Sequence, residues 1–338
     1  MKLYKKICTI ILFLIFFIIL NNHVAESQTH GLPTGIKEFF DDGKFLPDGN
    51  AEYRFQLGGF YSLSKKFYNT DNDLVEPSSY KNYKRFGYFL VGEKKIMNDF
   101  LVGFTLPWLR SESYRNKTYY SVGDYALEGI GDIYLRGGWI PIKNELFSFY
   151  GELQIIITNT DKRDSFTDAY VYIGNDGHNA VSGKFAASYQ PIKSFKLNGH
   201  VGYQANLSDK RVVIEGERAK KVSNGTMSQI NAEIDPRDYF TLFLDSTYSF
   251  SNFKFSIGYE WFYETKDRIS NIESDGLTKV EQEALKTVGG YAYIHSILAG
   301  IGYEFNKEFS FLLNYKTPFK GHYGYSEDIW SFMIERVF

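Results

Sequence analysis

From about residue 51 to the last residue, the chain alternates between two kinds of connection, and few folds need that rule. Extended segments with apolar residues at every second position are joined by polar stretches that are long, then short, then long again. Twelve such segments can be read: 51–63, 82–95, 100–109, 129–140, 147–158, 181–190, 195–206, 239–250, 253–265, 291–305, 309–316 and 326–338. The short returns include Met97-Asn98-Asp99, Pro141-Ile142-Lys143-Asn144, Pro191-Ile192-Lys193, Ser251-Asn252 and Asn306-Lys307-Glu308. The long ones include 110–128, 159–179, 207–238 and 266–290, with a shorter one at 317–325 and a helical turn expected near 280–286. A soluble sandwich or propeller does not require loop length to follow strand parity, whereas an up-and-down membrane barrel has short turns at one end and long loops at the other. Each segment is also about the 9–11 residues that a tilted strand needs to cross a bilayer.

The alternation has period two, so each strand has two faces. Phe100, Val102, Phe104, Leu106 and Trp108 share one face, as do Phe253, Phe255, Ile257, Tyr259, Trp261 and Tyr263. The opposite face is read as polar: Arg54, Gln56, Arg85, Asp132, Arg136, Glu152, Gln154, Lys184, Lys196, Asn198, His200, Gln204, Asp245, Lys254, Glu260, Glu304, Asn314 and Lys316. With 27 Tyr and 30 Phe at a mean hydropathy of only -0.30, the composition suits a body that is apolar outside and polar inside. The fold expected is therefore all-β: a transmembrane up-and-down antiparallel barrel of about twelve strands, residues 51–338, with periplasmic termini. Outer-membrane lipid is its expected surroundings. A formal net charge of -2 gives no reason to expect nucleic acid as a partner.

The N-terminus has the pattern of a secretory signal. Lys2, Lys5 and Lys6 precede an apolar run at 7–20, and Ala25-Glu26-Ser27 supplies small residues at cleavage spacing, so residues 1–27 are expected to be removed. Residues 28–50, rich in Gly, Pro and Asp, have no strand period and are expected to form a periplasmic arm or a lumen plug. Cys8 is the only cysteine, which leaves the mature chain without a disulfide or thiolate site.

No enzyme pattern is found. His295 and Ser296 are adjacent and so face opposite ways on a strand, and His200 is followed two residues on by Gly202. His178, His200, His295 and His322 lack metal-ligand spacing, and Asn175-Asp176-Gly177 lacks that of a calcium loop. No metal and no cofactor is expected.

The most informative short motif is Gly129-Ile130-Gly131-Asp132, which leads directly into strand residues rather than a helix. Glycines within a strand permit a bulge or a close backbone approach, and a glycine-softened strand entry accounts for the motif equally well. Asp132 faces the lumen if Ile133, Leu135 and Trp139 face lipid. The run from Gly129 to Ile142 (GIGDIYLRGGWIPI) resembles the corresponding strand of FadL-like outer-membrane channels, and within them the phenol meta-pathway degradation type. Leu106-Pro107-Trp108-Leu109-Arg110, residues 195–203 and residues 295–305 resemble further parts of that pattern in the same order. The resemblance implies a channel for small hydrophobic compounds. Gly129, Gly131, Asp132, Arg136, Glu152, Lys184, His200, Lys254, Glu260 and Lys316 are the lumen and ligand-pathway candidates. The alternative is a non-transporting surface barrel whose long loops adhere or serve a structural role. The last strand, with Trp330, Phe332, Ile334 and Phe338 on one face, resembles the C-terminal signal read by the β-barrel assembly machinery. Arg336 interrupts that face and is expected near the periplasmic interface.

Overall fold

The computed structural model describes residues 52–69, 71–76, 80–97, 100–115, 125–144, 146–158, 179–207, 209–215, 229–235, 237–265, 268–273 and 291–338. The expected signal, the 28–50 arm, His178, Asn175-Asp176-Gly177 and the helical turn near 280–286 lie outside these residues.

The strands are β1 (Tyr53–Tyr68), β2 (Leu74–Val75), β3 (Tyr80–Met97), β4 (Phe100–Arg115), β5 (Tyr125–Ile130), β6 (Ile133–Lys143), β7 (Phe147–Ile157), β8 (Ala180–Ile192), β9 (Phe195–Asn206), β10 (Asp209–Glu215), β11 (Gln229–Asp235), β12 (Tyr239–Phe250), β13 (Phe253–Glu264), β14 (Arg268–Glu273), β15 (Ala292–Glu304), β16 (Phe309–His322) and β17 (Tyr325–Val337). Twelve of them form a closed wall in the order β1, β3, β4, β6, β7, β8, β9, β12, β13, β15, β16, β17, and β17 pairs back with β1. Closure is antiparallel and in register from Arg54↔Val337 to Phe67↔Tyr325, with one bulge between Ser64 and Lys66. The main chain of Phe338 completes it: its carbonyl accepts from the N–H groups of Glu52 and Tyr53, and its N–H donates to Tyr53. With no open edge, every backbone group in the wall can find a partner inside the sheet, which is the condition for strands to cross lipid. No helix among the described residues is long and apolar enough to cross a membrane.

The outer face is the aromatic one. Leu57, Tyr88, Leu153, Phe185, Leu244, Ile257 and Trp330 are among the large apolar side chains left exposed on it. Ring pairs band the outer face near both ends of the wall. Phe338 against Tyr53 and Phe55, Phe100 against Trp139, Phe147 against Tyr189 and Phe253 against Tyr303 mark the short-turn end. Trp108 against Tyr88, Trp261 against Tyr263 and Tyr263 against Tyr291 mark the other. Amphipathic rings settle where apolar lipid meets water. The protein is a bacterial outer-membrane β-barrel. Arg336 points outward at the short-turn end with its guanidinium 5.2 Å over the Phe338 ring, a position in which a long cationic side chain keeps its head at the interface.

The short turns are built by their polar residues. Asn144 Oδ1 accepts from the N–H groups of Leu146 and Phe147, and Asn306 Oδ1 from those of Glu308 and Phe309. Each is an Asx turn, and a backbone bond from the Asn N–H to the carbonyl of Phe147 or Phe309 closes the reversal beside it.

The wall departs from expectation in three places. The final long-side connection is not the loop expected at 317–325, because β16 continues to His322 and only Tyr323 and Gly324 separate it from β17. Tyr323 takes a φ of 50° to make that turn, and Tyr68 packs over Gly321, where an added Cβ would lie 2.5 Å from the ring. Residues 207–238 and 266–290 are not loops throughout: β10, β11 and β14 form a separate three-stranded sheet drawn from both. Finally, the inward face is not polar all round. Phe60, Phe89, Val91, Leu109, Ile329 and Met333 form a buried inward cluster on β1, β3, β4 and β17.

Candidate functional site

Pro107 shows how the candidate site is positioned. In an antiparallel ladder the N–H and C=O of one residue point to the same neighbour. Pro107 has no N–H, and its carbonyl accepts from Gly131 N–H at 3.0 Å. The missing donor therefore faces the strand entry of β6. There the pairing slips: between Thr105↔Tyr134 and Trp108↔Ile130, β4 advances three residues and its partner four. The extra residue is a bulge at Gly131–Asp132, between β5 and β6, and Gly129 just before it takes a φ of 158°. Ile130 is exposed on the outer face and so are Leu135 and Trp139, whose parity is opposite. The bulge absorbs that change of parity, since one inserted residue reverses which side chains face which way. Asp132, in the same parity as Arg136 of β6, faces inward and is 1% exposed.

Below the bulge, toward the short-turn end, lies a ladder of ionic groups. Arg54 of β1 pairs with Glu93 of β3, and Arg136 of β6 reaches the same carboxylate. Arg136 also lies 3.9 Å from Glu152 of β7, and Arg54 lies 3.9 Å from Glu335 of β17. Gln56 Nε2 donates to Glu335 at 2.8 Å, and Tyr150 and Gln154 donate to Glu152. The Arg136–Glu93 pair passes over β4 at Gly103, where an added Cβ would stand 2.7 Å from Glu93 Cγ and 3.0 Å from Arg136 Nε. Only a residue without a side chain leaves room for the two to meet.

The other candidates are placed in separate groups. Lys316 donates to Glu260 at 2.5 Å over β15. Lys184 sits 5.7 Å over the Tyr150 ring, and His200 stacks on Phe243 at 5.0 Å. Lys254 pairs with Glu304 at 2.9 Å at the short-turn end. Arg85 of β3 pairs with Glu327 of β17, which also accepts from Ser62 of the strand between. The structure thus brings Arg136 and Lys184 to either side of Glu152, and Lys316 to Glu260, but it sets these groups apart along the wall. The ion pairs that involve these inward residues join neighbouring strands or span a single strand, so the charges run along the wall.

Glu93, Glu327, Glu335 and Gly103 are absent from the sequence-based candidates. The three carboxylates follow from parity, because Phe86, Tyr88 and Leu90 outside place Glu93 inside, and Trp330 and Ile334 do the same for Glu327 and Glu335. Gly103 has no such signal, since its role exists only once β3 and β6 flank it. Among the described residues no group of His, Cys, Asp or Glu could hold a metal ion.

The fold of this wall is similar to that of a known outer-membrane barrel. A crystal structure of an outer membrane channel from Pseudomonas putida F1 superposes with a TM-score of 0.62 at 11% identity, covering 88% of this chain and 99% of that one. A FadL homologue from Pseudomonas aeruginosa (TM-score 0.38, 12% identity, 84% and 90% covered) and a mutant of the monoaromatic hydrocarbon channel TodX (0.42, 10%, 87% and 92%) overlay too loosely to argue from. No curated protein matches by sequence. Residues 78–327 match the family described as "Putative MetA-pathway of phenol degradation", a span that takes in the bulge, Glu93, Arg136 and Glu152 of the ionic ladder and most of the wall, and the chain belongs to that family.

Proposed function

We propose that this barrel is a passive outer-membrane channel for small hydrophobic or aromatic compounds. The observation that carries the reading is the bulge at Gly131–Asp132, where the wall ladder is interrupted against a proline. It abuts the inward apolar cluster: Phe89 pairs with Pro107, and Leu109 follows two residues later on the same face. A small apolar solute has an apolar inner surface to rest on and, beside it, a weakened stretch of wall. The family description and the likeness to a P. putida channel point the same way. Gly129, Gly131 and Asp132 form the irregularity on the path, and the ionic groups from Arg136 to Lys316 hold the wall around it. No step requires a catalytic residue, cofactor or energy source.

In this reading residues 1–27 are a cleaved leader, and residues 28–50 are an arm or plug that starts from the short-turn end, where Glu52 is tied to Phe338. The outward face of β17, with Trp330, Phe332, Ile334 and Phe338, is what the assembly machinery reads. A second reading, a surface barrel acting through its loops, draws on the β10–β11–β14 sheet. The ion pairs that run along the wall instead of across the interior favour the channel.

The test is uptake into liposomes carrying the purified protein, for a small aromatic and for a hydrophilic solute of similar size. Aromatic uptake is expected to exceed that of empty liposomes. Deleting Gly131 makes the strand regular while keeping Ile130 outside and Asp132 inside, so the folded barrel is expected to persist while uptake falls. If neither solute enters faster than into empty liposomes, the channel reading is wrong.

A further inference from the structure

The interior is not equally dry on all sides at the short-turn end. Inward residues close to the end of the wall are buried on one half: Arg54 of β1, Leu101 of β4, Ile140 of β6 and Val337 of β17 are between 2% and 8% exposed. Leu101, Ile140, Tyr150 and Val337 form one apolar cluster, and the Arg54–Glu93–Arg136 ladder lies beside it. On the other side, inward residues near the end or deeper are partly exposed: Lys196 of β9, Asp245 and Thr247 of β12, and Lys254 and Ser256 of β13. The side chains of Lys254 and Glu304 are 24% and 32% exposed although they pair with each other. Two sides of one inner surface near the short turns thus differ in their access to water.

We propose that water and solutes pass the short-turn end on the side of β9, β12 and β13, through a vestibule bounded by Lys196, Asp245, Thr247, Lys254 and Ser256. The half made by β17, β1, β3, β4 and β6 is a fixed floor. Charged side chains packed dry against apolar ones have no room to move aside without leaving a buried charge unpaired, and an apolar layer resists wetting. The vestibule has neither obstacle. Asp245 is held by Asn198 Nδ2 and Thr247 Oγ1, each at 3.1 Å. With both signs of charge present, the vestibule passes neutral polar groups and does not select strongly for one sign of ion. The flux part of this proposal rests on the channel reading above, while the access part does not.

Single cysteines test it, in a Cys8→Ser background that removes the chain's only thiol. Thr247→Cys and Ser256→Cys sample the vestibule, and Leu101→Cys and Ile140→Cys sample the floor with two variants in case one fails to fold. Folding is checked by heat-modifiable migration, and labelling by a charged, membrane-impermeant thiol reagent is normalised to the unfolded chain, since thiol reactivity follows exposure. The vestibule sites are expected to label at least about tenfold faster than the floor sites, and their modification with a bulky reagent is expected to block aromatic uptake into liposomes. Equal labelling rates overturn the proposal. Asymmetric labelling with uptake unchanged after vestibule modification overturns the assigned passage. If the unmodified protein takes up no solute, the channel reading fails, and the labelling still decides where water enters.

Discussion

Gly103→Ala tests whether the ionic ladder depends on the bare backbone that it crosses. An added Cβ lies 2.7 Å from Glu93 Cγ, 2.9 Å from the Gly92 carbonyl oxygen and 3.0 Å from Arg136 Nε. Carbon atoms in contact sit at about 3.5–4.0 Å, so the closest approach is about 0.8 Å too short. The Gly92 oxygen belongs to main chain paired with Phe104 and cannot retreat. Glu93 and Arg136 must therefore separate, and their side chains are only 1% and 4% exposed. Breaking a buried pair costs about 3–5 kcal/mol. Arg54 still holds Glu93, which argues for the lower end, about 3 kcal/mol. Gly137→Ala is the matched control, because nothing lies within 4 Å of a Cβ there, and the change should be neutral or stabilising by up to about 1 kcal/mol. Reversible urea unfolding in lipid vesicles, followed by tryptophan fluorescence, reads both variants. In an Arg136→Met background the Gly103→Ala cost should shrink, since the pair it disrupts is already gone. Equal unfolding midpoints for Gly103→Ala and Gly137→Ala would show that the ladder does not need Gly103.

Three further outcomes are expected. Glu327→Leu or Arg85→Met alone should each destabilise the barrel by about 3–5 kcal/mol, because each strands a buried charge, while the double variant should lose less than either; a double-mutant cycle in the same unfolding assay checks this. Phe338→Ala removes the stacking on Tyr53 and Phe55, worth about 0.5–1.5 kcal/mol per ring pair, and should lower the heat-modifiable folded fraction recovered from membranes. Gly321→Ala places a Cβ 2.5 Å from Cδ2 of Tyr68, so the Tyr68 ring must leave the β16–β17 turn, and trypsin should then cut faster at Lys65 and Lys66.

Most of the wall was legible because each strand repeats the same constraint. The period-two pattern places Phe100 to Trp108 outside on alternate residues, and twelve such strands with alternating turn lengths leave little but a closed barrel. The short turns were legible too, since Asn144 and Asn306 carry their own reversal chemistry. What could not be read was the relation between strands. The inward apolar cluster escaped notice because Phe60, Phe89 and Met333 are each ordinary on their own strand, and become a patch only when β17, β1 and β3 stand side by side. The tight turn at Tyr323–Gly324 was hidden because Thr317, Lys320 and His322 look like loop residues, yet they extend β16. The ten candidates were a list by facing, and facing fixes only the side of the wall, not which neighbours meet.

Proline gives a local rule that links register to site. Four of the eight prolines fall in wall strands: Pro107, Pro141, Pro191 and Pro318. A closed barrel has no edge strand on which to hide a missing donor, so each must meet an irregularity, and each does. Pro141 lies where the β6–β7 pairing slips between Trp139 and Ile142, Pro191 where β8–β9 slips between Tyr189 and Ile192, and Pro318 where β15–β16 slips between His295 and Ser296. Those at Pro141 and Pro191 adjoin short turns, where a slip adjusts only the last residues of a strand. At Pro107, as at Pro318, paired strand continues on both sides of the slip, here with β5 above and β6 below. A change of parity there reassigns residues in the middle of the wall, so that Ile130 faces lipid although Asp132, two residues on, faces the interior. If Pro107 is what fixes the position of the slip, Pro107→Ala restores the donor and frees the bulge to migrate along β5 and β6. Hydrogen exchange should then show lost protection at Gly131 N–H with the other wall amides unchanged, whereas full protection at Gly131 would mean that the glycines alone set the bulge.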